Sequence, residues 1–440
     1  MQAEQNDVLR DLLRFLDASP TPFHAARETG ARLEAAGFQK LDEREPFQLD
    51  PGARAYVVRG GSLVAFAVGN EPPAKAGFVA IGAHTDSPNL RLKPIPGFSN
   101  AGYRQLAIEP YGGVLYSTWL DRELGLAGRI TLSGGTSVLA RIERPIATIP
   151  NLAIHLNREV NKDGLVLNAE KHLHPLLGLD GDATPDFDAL LVEALGTTPA
   201  RGATRGDVVG FDLCLFDVRG AAQGGAGGEF LHSARLDNLV SCHAACNALV
   251  SAGPEGRATR VMALFDHEEV GSQSSVGARS ELLRGLLERV ANGYPNAGSD
   301  AWARAAARSF FASVDMAHGV HPNYPDKHDK HHRPLLGKGP VVKVNVNQSY
   351  ATDGVAQGAF VDACRKEGSE PQFFSARNDM PCGSTIGPIT AARLGVRSID
   401  VGSPMLAMHS CREIAAASDV LVMARVLRRL LVEPPSFSAV

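Results

Sequence analysis

Two apolar runs of strand length each empty into a polar turn, and this pairing limits the folds open to the chain. Gly77-Phe78-Val79-Ala80-Ile81-Gly82-Ala83 is apolar throughout and reads as a central strand buried on both faces. It ends at His84-Thr85-Asp86-Ser87-Pro88. The second run, Arg260-Val261-Met262-Ala263-Leu264-Phe265, ends at Asp266-His267-Glu268-Glu269-Val270-Gly271. Fold stability does not ask for two adjacent carboxylates at a strand end. On an extended backbone Glu268 and Glu269 would point to opposite sides, so that one binds a metal and the other faces a substrate. An isolated Glu-Glu pair would instead be a solvated acidic loop, so the residues that accompany it decide.

The rest of the chain supplies helices to cover such strands. Residues 1–17 read as an amphipathic helix with Val8, Leu9, Leu12, Leu13 and Leu16 on one stripe, and not as a signal peptide. A proline-rich break at Ser19-Pro20-Thr21-Pro22 precedes a second helix over residues 23–37, and residues 55–59 and 62–68 read as a hairpin around Gly60-Gly61. Asp237-Asn238 opens a helix with Leu239, His243, Cys246 and Val250 on one stripe. Residues 310–314 form another apolar run, ending at Asp315. Ser410-Cys411-Arg412-Glu413 reads as a capping box that opens a C-terminal helix to about residue 428.

Between residues 87 and 230 the texture changes to short β-rich runs separated by Gly, Pro and charged turns, closing on the glycine-rich stretch 220–228, a linker or an exposed loop. The expectation is therefore an α/β chain. A mixed-sheet α/β/α catalytic domain (residues 1–86 and 231–440) carries an inserted β-rich domain (87–230).

Charge and composition exclude several partners. The net charge is −4 with no long basic run, which argues against nucleic acid and anionic membrane surfaces. No apolar stretch approaches the roughly 20 residues that span a bilayer. The six cysteines are scattered without a CxxC pair, as expected of reduced thiols in a cytoplasm.

Five segments place a metal-type ligand at a strand end or helix start: His84-Thr85-Asp86, Asp237, Glu268-Glu269, Asp315 and His409. In open α/β sheets such positions converge at the carboxyl ends of strands. Imidazole and carboxylate without thiolate suit Zn²⁺, Mn²⁺ or Co²⁺ in hydrolytic chemistry. Two histidines and three carboxylates are too many for one open tetrahedral ion. Two ions sharing one carboxylate make the count work, and Glu268 is placed to move a proton between water and a leaving amine.

The same segments carry a resemblance. Ser19-Pro20-Thr21-Pro22-Phe23-His24, Ala83-His84-Thr85-Asp86-Ser87-Pro88, Ala153-Ile154-His155-Leu156-Asn157-Arg158 and Ser233-Ala234-Arg235-Leu236-Asp237-Asn238 recur in order with the 266–271 turn, Ser313-Val314-Asp315-Met316-Ala317-His318 and Met408-His409-Ser410. Together they resemble the M18 aminopeptidases, whose best-known members are the aspartyl aminopeptidases, over nearly the whole chain.

The resemblance implies that Asp237 bridges two divalent metal ions, most often Zn²⁺. One is completed by His84 and Asp315, the other by Glu269 and His409. Glu268 would be the general base and Asp86 would orient His84. Lys343 and Tyr350 would line the substrate pocket, the lysine favouring an acidic N-terminal residue. Seven residues apart on a straight strand these two would face opposite ways, so the chain must bend near Asn347 or only one of them lines the pocket. An ordinary edge-strand lysine is the other reading of Lys343. His155 would reach into a neighbouring subunit's site, within a tetrahedral dodecamer built through the insert, or else be an ordinary strand histidine. The histidine-rich stretch 315–334 reads as a loop near the pocket mouth.

Two other functions remain open on sequence alone. One is a related metallo-amidohydrolase or carboxypeptidase; the other is a self-assembling carrier with structural metals.

Overall fold

The computed structural model describes residues 2–47, 49–181 and 185–437. Its largest sheet has nine strands in the order Gln39–Lys40, Arg54–Arg59, Ser62–Ala67, Thr259–Phe265, Phe78–His84, Phe310–Val314, Arg397–Gly402, Val341–Lys343 and Gln372–Phe374. The four strands from Thr259–Phe265 to Arg397–Gly402 run parallel, while Ser62–Ala67 and Val341–Lys343 join them antiparallel. The sheet is thus mixed and the chain is α/β.

Alternation along the buried strands sends side chains to both faces. Val79, Ile81 and Ala83 join one core, with Leu12, Phe15 and Leu16 of helix Gln2–Ala18, helix Leu236–Ser251 and helix Ala417–Val432. Phe78 and Ala80 join the other, with helices Leu282–Gly293 and Ile386–Leu394. A strand that must satisfy two apolar layers has no polar face, which is why this run reads as continuously hydrophobic. Gly82 sits where a Cβ would meet the ring of Phe311 at 2.2 Å, so the helix-covered face closes tightly beside His84.

A second, antiparallel sheet takes all six strands from residues 89–217. Helix Phe187–Gly196 packs on its core. The glycine-rich stretch after it is not a plain loop: Ala222–Gly224 pairs with Phe230–Ser233 in a third sheet of five strands.

Two local expectations are corrected. The Ser410-to-Glu413 pattern opens no helix. Glu413–Ala416 is a strand paired with Phe230–Ser233 and Pro404–Leu406, and the C-terminal helix starts at Ala417. The Glu413 carboxylate is buried and accepts main-chain N–H groups elsewhere, so tertiary contacts outweigh the local capping signal. Strand Val341–Lys343 also lies inside the sheet, between Arg397–Gly402 and Gln372–Phe374, so Lys343 is no edge-strand lysine.

Candidate metal centre and active site

Three neighbouring parallel strands end side by side and deliver most of the expected ligands. Phe265 pairs with His84 at the sheet's rim, Asp315 follows Val314 on the next strand, and Glu268 and Glu269 follow Phe265. Asp237 enters from the first turn of helix Leu236–Ser251, where Asp237 and Asn238 have non-helical dihedrals and Arg235 is left-handed. His409, also left-handed at φ 67°, follows strand Pro404–Leu406. Left-handed backbone at a non-glycine residue persists only where its surroundings hold it, as they do here.

The side chains meet in two groups around Asp237. Its Oδ1 lies 3.3 Å from His84 Nε2, which is 3.4 Å from Asp315 Oδ1. Its Oδ2 lies 3.5 Å from His409 Nε2, which is 3.3 Å from Glu269 Oε2. Ligand atoms of His84, Asp237 and Glu269 all lie within 4.8 Å of one another. Asp237 Oδ1 and Glu269 Oε1 are buried without a hydrogen-bond donor, a costly arrangement that a cation would relieve.

Electrostatics point the same way. Burial above all, then the carboxylates of Asp315 and Glu269, push Glu268 up to about 8 against the pull of His84. Burial, with Asp237 adding to it, pushes Glu269 up to about 7. Burial pulls His409 down, yet Asp237 and Glu269 outweigh it and lift the imidazole to about 11. Without a cation the site thus holds protons in place of positive charge, and binding a divalent ion would release them. The donor set, all oxygen and imidazole nitrogen, fits zinc, manganese or cobalt.

Two buried carboxylates hold the main chain that carries these side chains. Asp86 accepts the N–H of Glu268 on Oδ1 and that of Glu269 on Oδ2, both at 3.1 Å. Glu413 accepts the N–H of His409 at 2.7 Å and that of Asp237 at 3.1 Å. Asp86 holds His84 through its main-chain carbonyl, 3.0 Å from Nδ1, with its carboxylate at 3.5 Å. Glu268 and Glu269 therefore stand on a tight turn, Glu268–Val270, entered from a left-handed His267, and not on the extended backbone that the sequence suggested.

A cavity of about 310 Å³ opens over these groups, lined by His84, Asp237, Glu268, Glu269, Asp315 and His409 together with Lys343 and Tyr350. Both of the latter reach it because the chain turns after Lys343. Gln348 N–H closes a turn on the Asn345 carbonyl, Gln348 is left-handed, and Lys343 Nζ comes to 5.6 Å from the Tyr350 ring centroid. Lys343 Nζ also donates to Asp315 Oδ2 at 3.0 Å. His318 lines the same cavity, and His321 and His328 line the cavity beside it. His155 stands apart, exposed on the short helix Ile154–Leu156.

Glu413 and Tyr111, whose hydroxyl donates to Asp86, were not expected from sequence. Glu413 carried a signal, its spacing of four from His409, but the local capping pattern absorbed it.

The family described as "Aminopeptidase I zinc metalloprotease (M18)" matches residues 15–430. The chain belongs to the M18 aminopeptidase family. It is 47% identical over 440 residues to a probable M18 family aminopeptidase 2 of Azotobacter vinelandii, covering 99% of both chains. A relative of the same description in Pseudomonas aeruginosa is 46% identical over 433 residues, covering 97% of this chain and 98% of that one. Among solved structures, one from the complex of Ape4 and Nbr1 superposes with a TM-score of 0.92 at 36% identity, covering 98% of this chain and 86% of that one. The S. cerevisiae mApe1 dodecamer gives 0.85 at 27% identity, covering 98% and 97%. As an M18 member this chain is a metalloaminopeptidase, a hydrolase that removes residues from peptide N-termini.

Proposed function

We propose that this M18 aminopeptidase uses two divalent ions, zinc foremost, to remove an acidic N-terminal residue, Asp or Glu, from peptides. The observation that carries the reading is the placement of Asp237, each of whose oxygens faces a separate imidazole with its own carboxylate. His84 and Asp315 complete one set, Glu269 and His409 the other. Divalent ions in these sets supply Lewis acidity toward a water and the scissile carbonyl.

Glu268 belongs to neither set, and a purely structural metal site would need no such residue. It takes a proton from the attacking water as the oxygen bonds to the carbonyl carbon. As the C–N bond breaks, it passes that proton to the leaving amine. Asp86 and Glu413 keep the ligand-bearing main chain in place. Tyr350 walls the pocket, and Lys343 meets the side-chain carboxylate of the first residue.

Residues 1–86 and 231–440 form the catalytic domain and 87–230 an assembly domain. Exposed Leu152, Ile154 and Leu156 flank His155, which supports its burial against a neighbouring copy, where it would assist that copy's site. Likeness to the mApe1 dodecamer supports a homo-oligomer, proposed here as a tetrahedral dodecamer. Among the described residues no helix is long and apolar enough to cross a membrane. All six cysteines are free of disulfides, consistent with work in the cytoplasm.

The test is a panel of Asp-, Glu- and Leu-aminoacyl chromogens run on the wild type and Lys343→Ala. The wild type is expected to prefer the acidic compounds, and the variant to lose that preference by about 10- to 100-fold, the worth of a charge-assisted hydrogen bond. The Lys343–Asp315 contact favours a second role, orienting a ligand, and that role would slow all three substrates alike.

A further inference from the structure

The inserted sheet sends one segment back across the metal centre. Strand Tyr103–Tyr111 runs out into Gly112 and Gly113, and the chain then passes against His409 before the turn Tyr116–Trp119. Tyr111 O–H donates at 2.6 Å to Asp86 Oδ2, the same oxygen that accepts the Glu269 N–H. The Gly113 carbonyl accepts from His409 Nδ1 at 3.1 Å, and Leu115 N–H donates to the His409 carbonyl at 3.2 Å. The approach leaves little room for a side chain. A Cβ on Gly112, where φ is +73°, would meet Glu269 Cβ at 3.1 Å, and one on Gly113 would meet His409 Nδ1 at 3.0 Å.

Two of the three contacts fall on one ligand set; the third reaches Asp86 Oδ2, on the carboxylate whose other oxygen stands 3.5 Å from His84 Nδ1. His84 is held by the Asp86 carbonyl and Asp315 by Lys343. Among the described residues, no hydrogen bond runs from residues 111–115 to either. At His409 the Gly113 carbonyl accepts the Nδ1 proton, so Nε2 is the ring nitrogen that faces the space between Asp237 Oδ2 and Glu269 Oε2. Tyr111, through Asp86, fixes the main chain of Glu269.

We propose that residues 112–115 are a positioning strap for the ion held by Glu269 and His409, and that the ion held by His84 and Asp315 does not depend on it. The inference rests on the two-set reading above. Its consequence is a division of labour within the metal centre. One ligand set has no direct contact with the insert, and the other is held in part by it.

Tyr111→Phe removes one hydroxyl, and Gly113→Ala adds one methyl against the imidazole. Both variants and the wild type are stripped of metal, checked for folding by thermal unfolding, and titrated with Zn²⁺ by calorimetry. Crystals of the loaded proteins then give anomalous peaks at each position. Expected are two ions in the wild type. In Gly113→Ala one ion should keep wild-type affinity and the other weaken about 10- to 100-fold, with the fading peak beside His409, whereas Tyr111→Phe, acting through Asp86, should reach both. A strap that merely stabilised the fold would lower the unfolding temperature and leave the two affinities in their wild-type ratio. A Gly113→Ala variant that holds both ions as the wild type does, or loses both alike, overturns the proposal. A wild type that binds a single ion overturns the two-set reading, and the strap assignment falls with it.

Discussion

Glu268→Gln is expected to fold, load metal as the wild type does, and hydrolyse peptides about 100- to 10,000-fold more slowly, the usual span for a lost general acid–base group. The amide keeps the size of the side chain, and the main-chain N–H of residue 268 still donates to Asp86 Oδ1, so the turn that carries Glu269 is undisturbed. What disappears is the one carboxylate in the pocket that lies outside both ligand sets, and with it the route for a proton from water to the departing amine. The effect should fall on kcat, because proton transfer belongs to the transition state and not to substrate binding. The check is kcat measured alongside metal content. A fully loaded variant that turns over at near the wild-type rate would remove Glu268 from the role of base.

Asp237→Asn should be as damaging by a different route. Each oxygen of Asp237 serves a different imidazole, so the substitution deprives both sets of negative charge at once and puts an NH2 group where one ligand oxygen stood. Both ions should weaken together, in contrast to Gly113→Ala, where only one should. Two readouts follow. Added Zn²⁺ should raise the unfolding temperature of the wild type, as any ligand that binds only the folded state does, and should raise that of the variant far less. Metal retained after dialysis should fall from about two ions per chain toward none, and hydrolysis should fall with it. Retention of a full complement of metal by Asp237→Asn would mean that its carboxylate is not shared.

What the sequence disclosed and what it hid divide along physical lines. The buried strands were legible because a strand covered on both faces must be apolar throughout. The turns whose side chains meet around Asp237 were legible because carboxylates and imidazoles at strand ends serve no packing purpose. Side chains that act over long sequence distance on someone else's backbone left no such trace. Tyr111 reads as an ordinary strand-end aromatic until its hydroxyl is found on Asp86. Glu413 reads as a helix cap until its carboxylate is found on the N–H groups of Asp237 and His409. The bend between Lys343 and Tyr350 was foreseen only as a condition, because a strand of three residues followed by a turn has no periodicity to measure. The Glu268-Glu269 pair reads as extended backbone because nothing local announces that Asp86 gathers both N–H groups into a tight turn.

The pairing of ions across Asp237 underlies the roles given to Glu268, Lys343 and the strap, and diffraction at the zinc absorption edge addresses it directly. Crystals of the zinc-loaded protein are expected to show two anomalous peaks about 3.5–4 Å apart, one on each side of the Asp237 carboxylate, the first against His84 and Asp315 and the second against Glu269 and His409. A single peak, or none between His84 and His409, would contradict it.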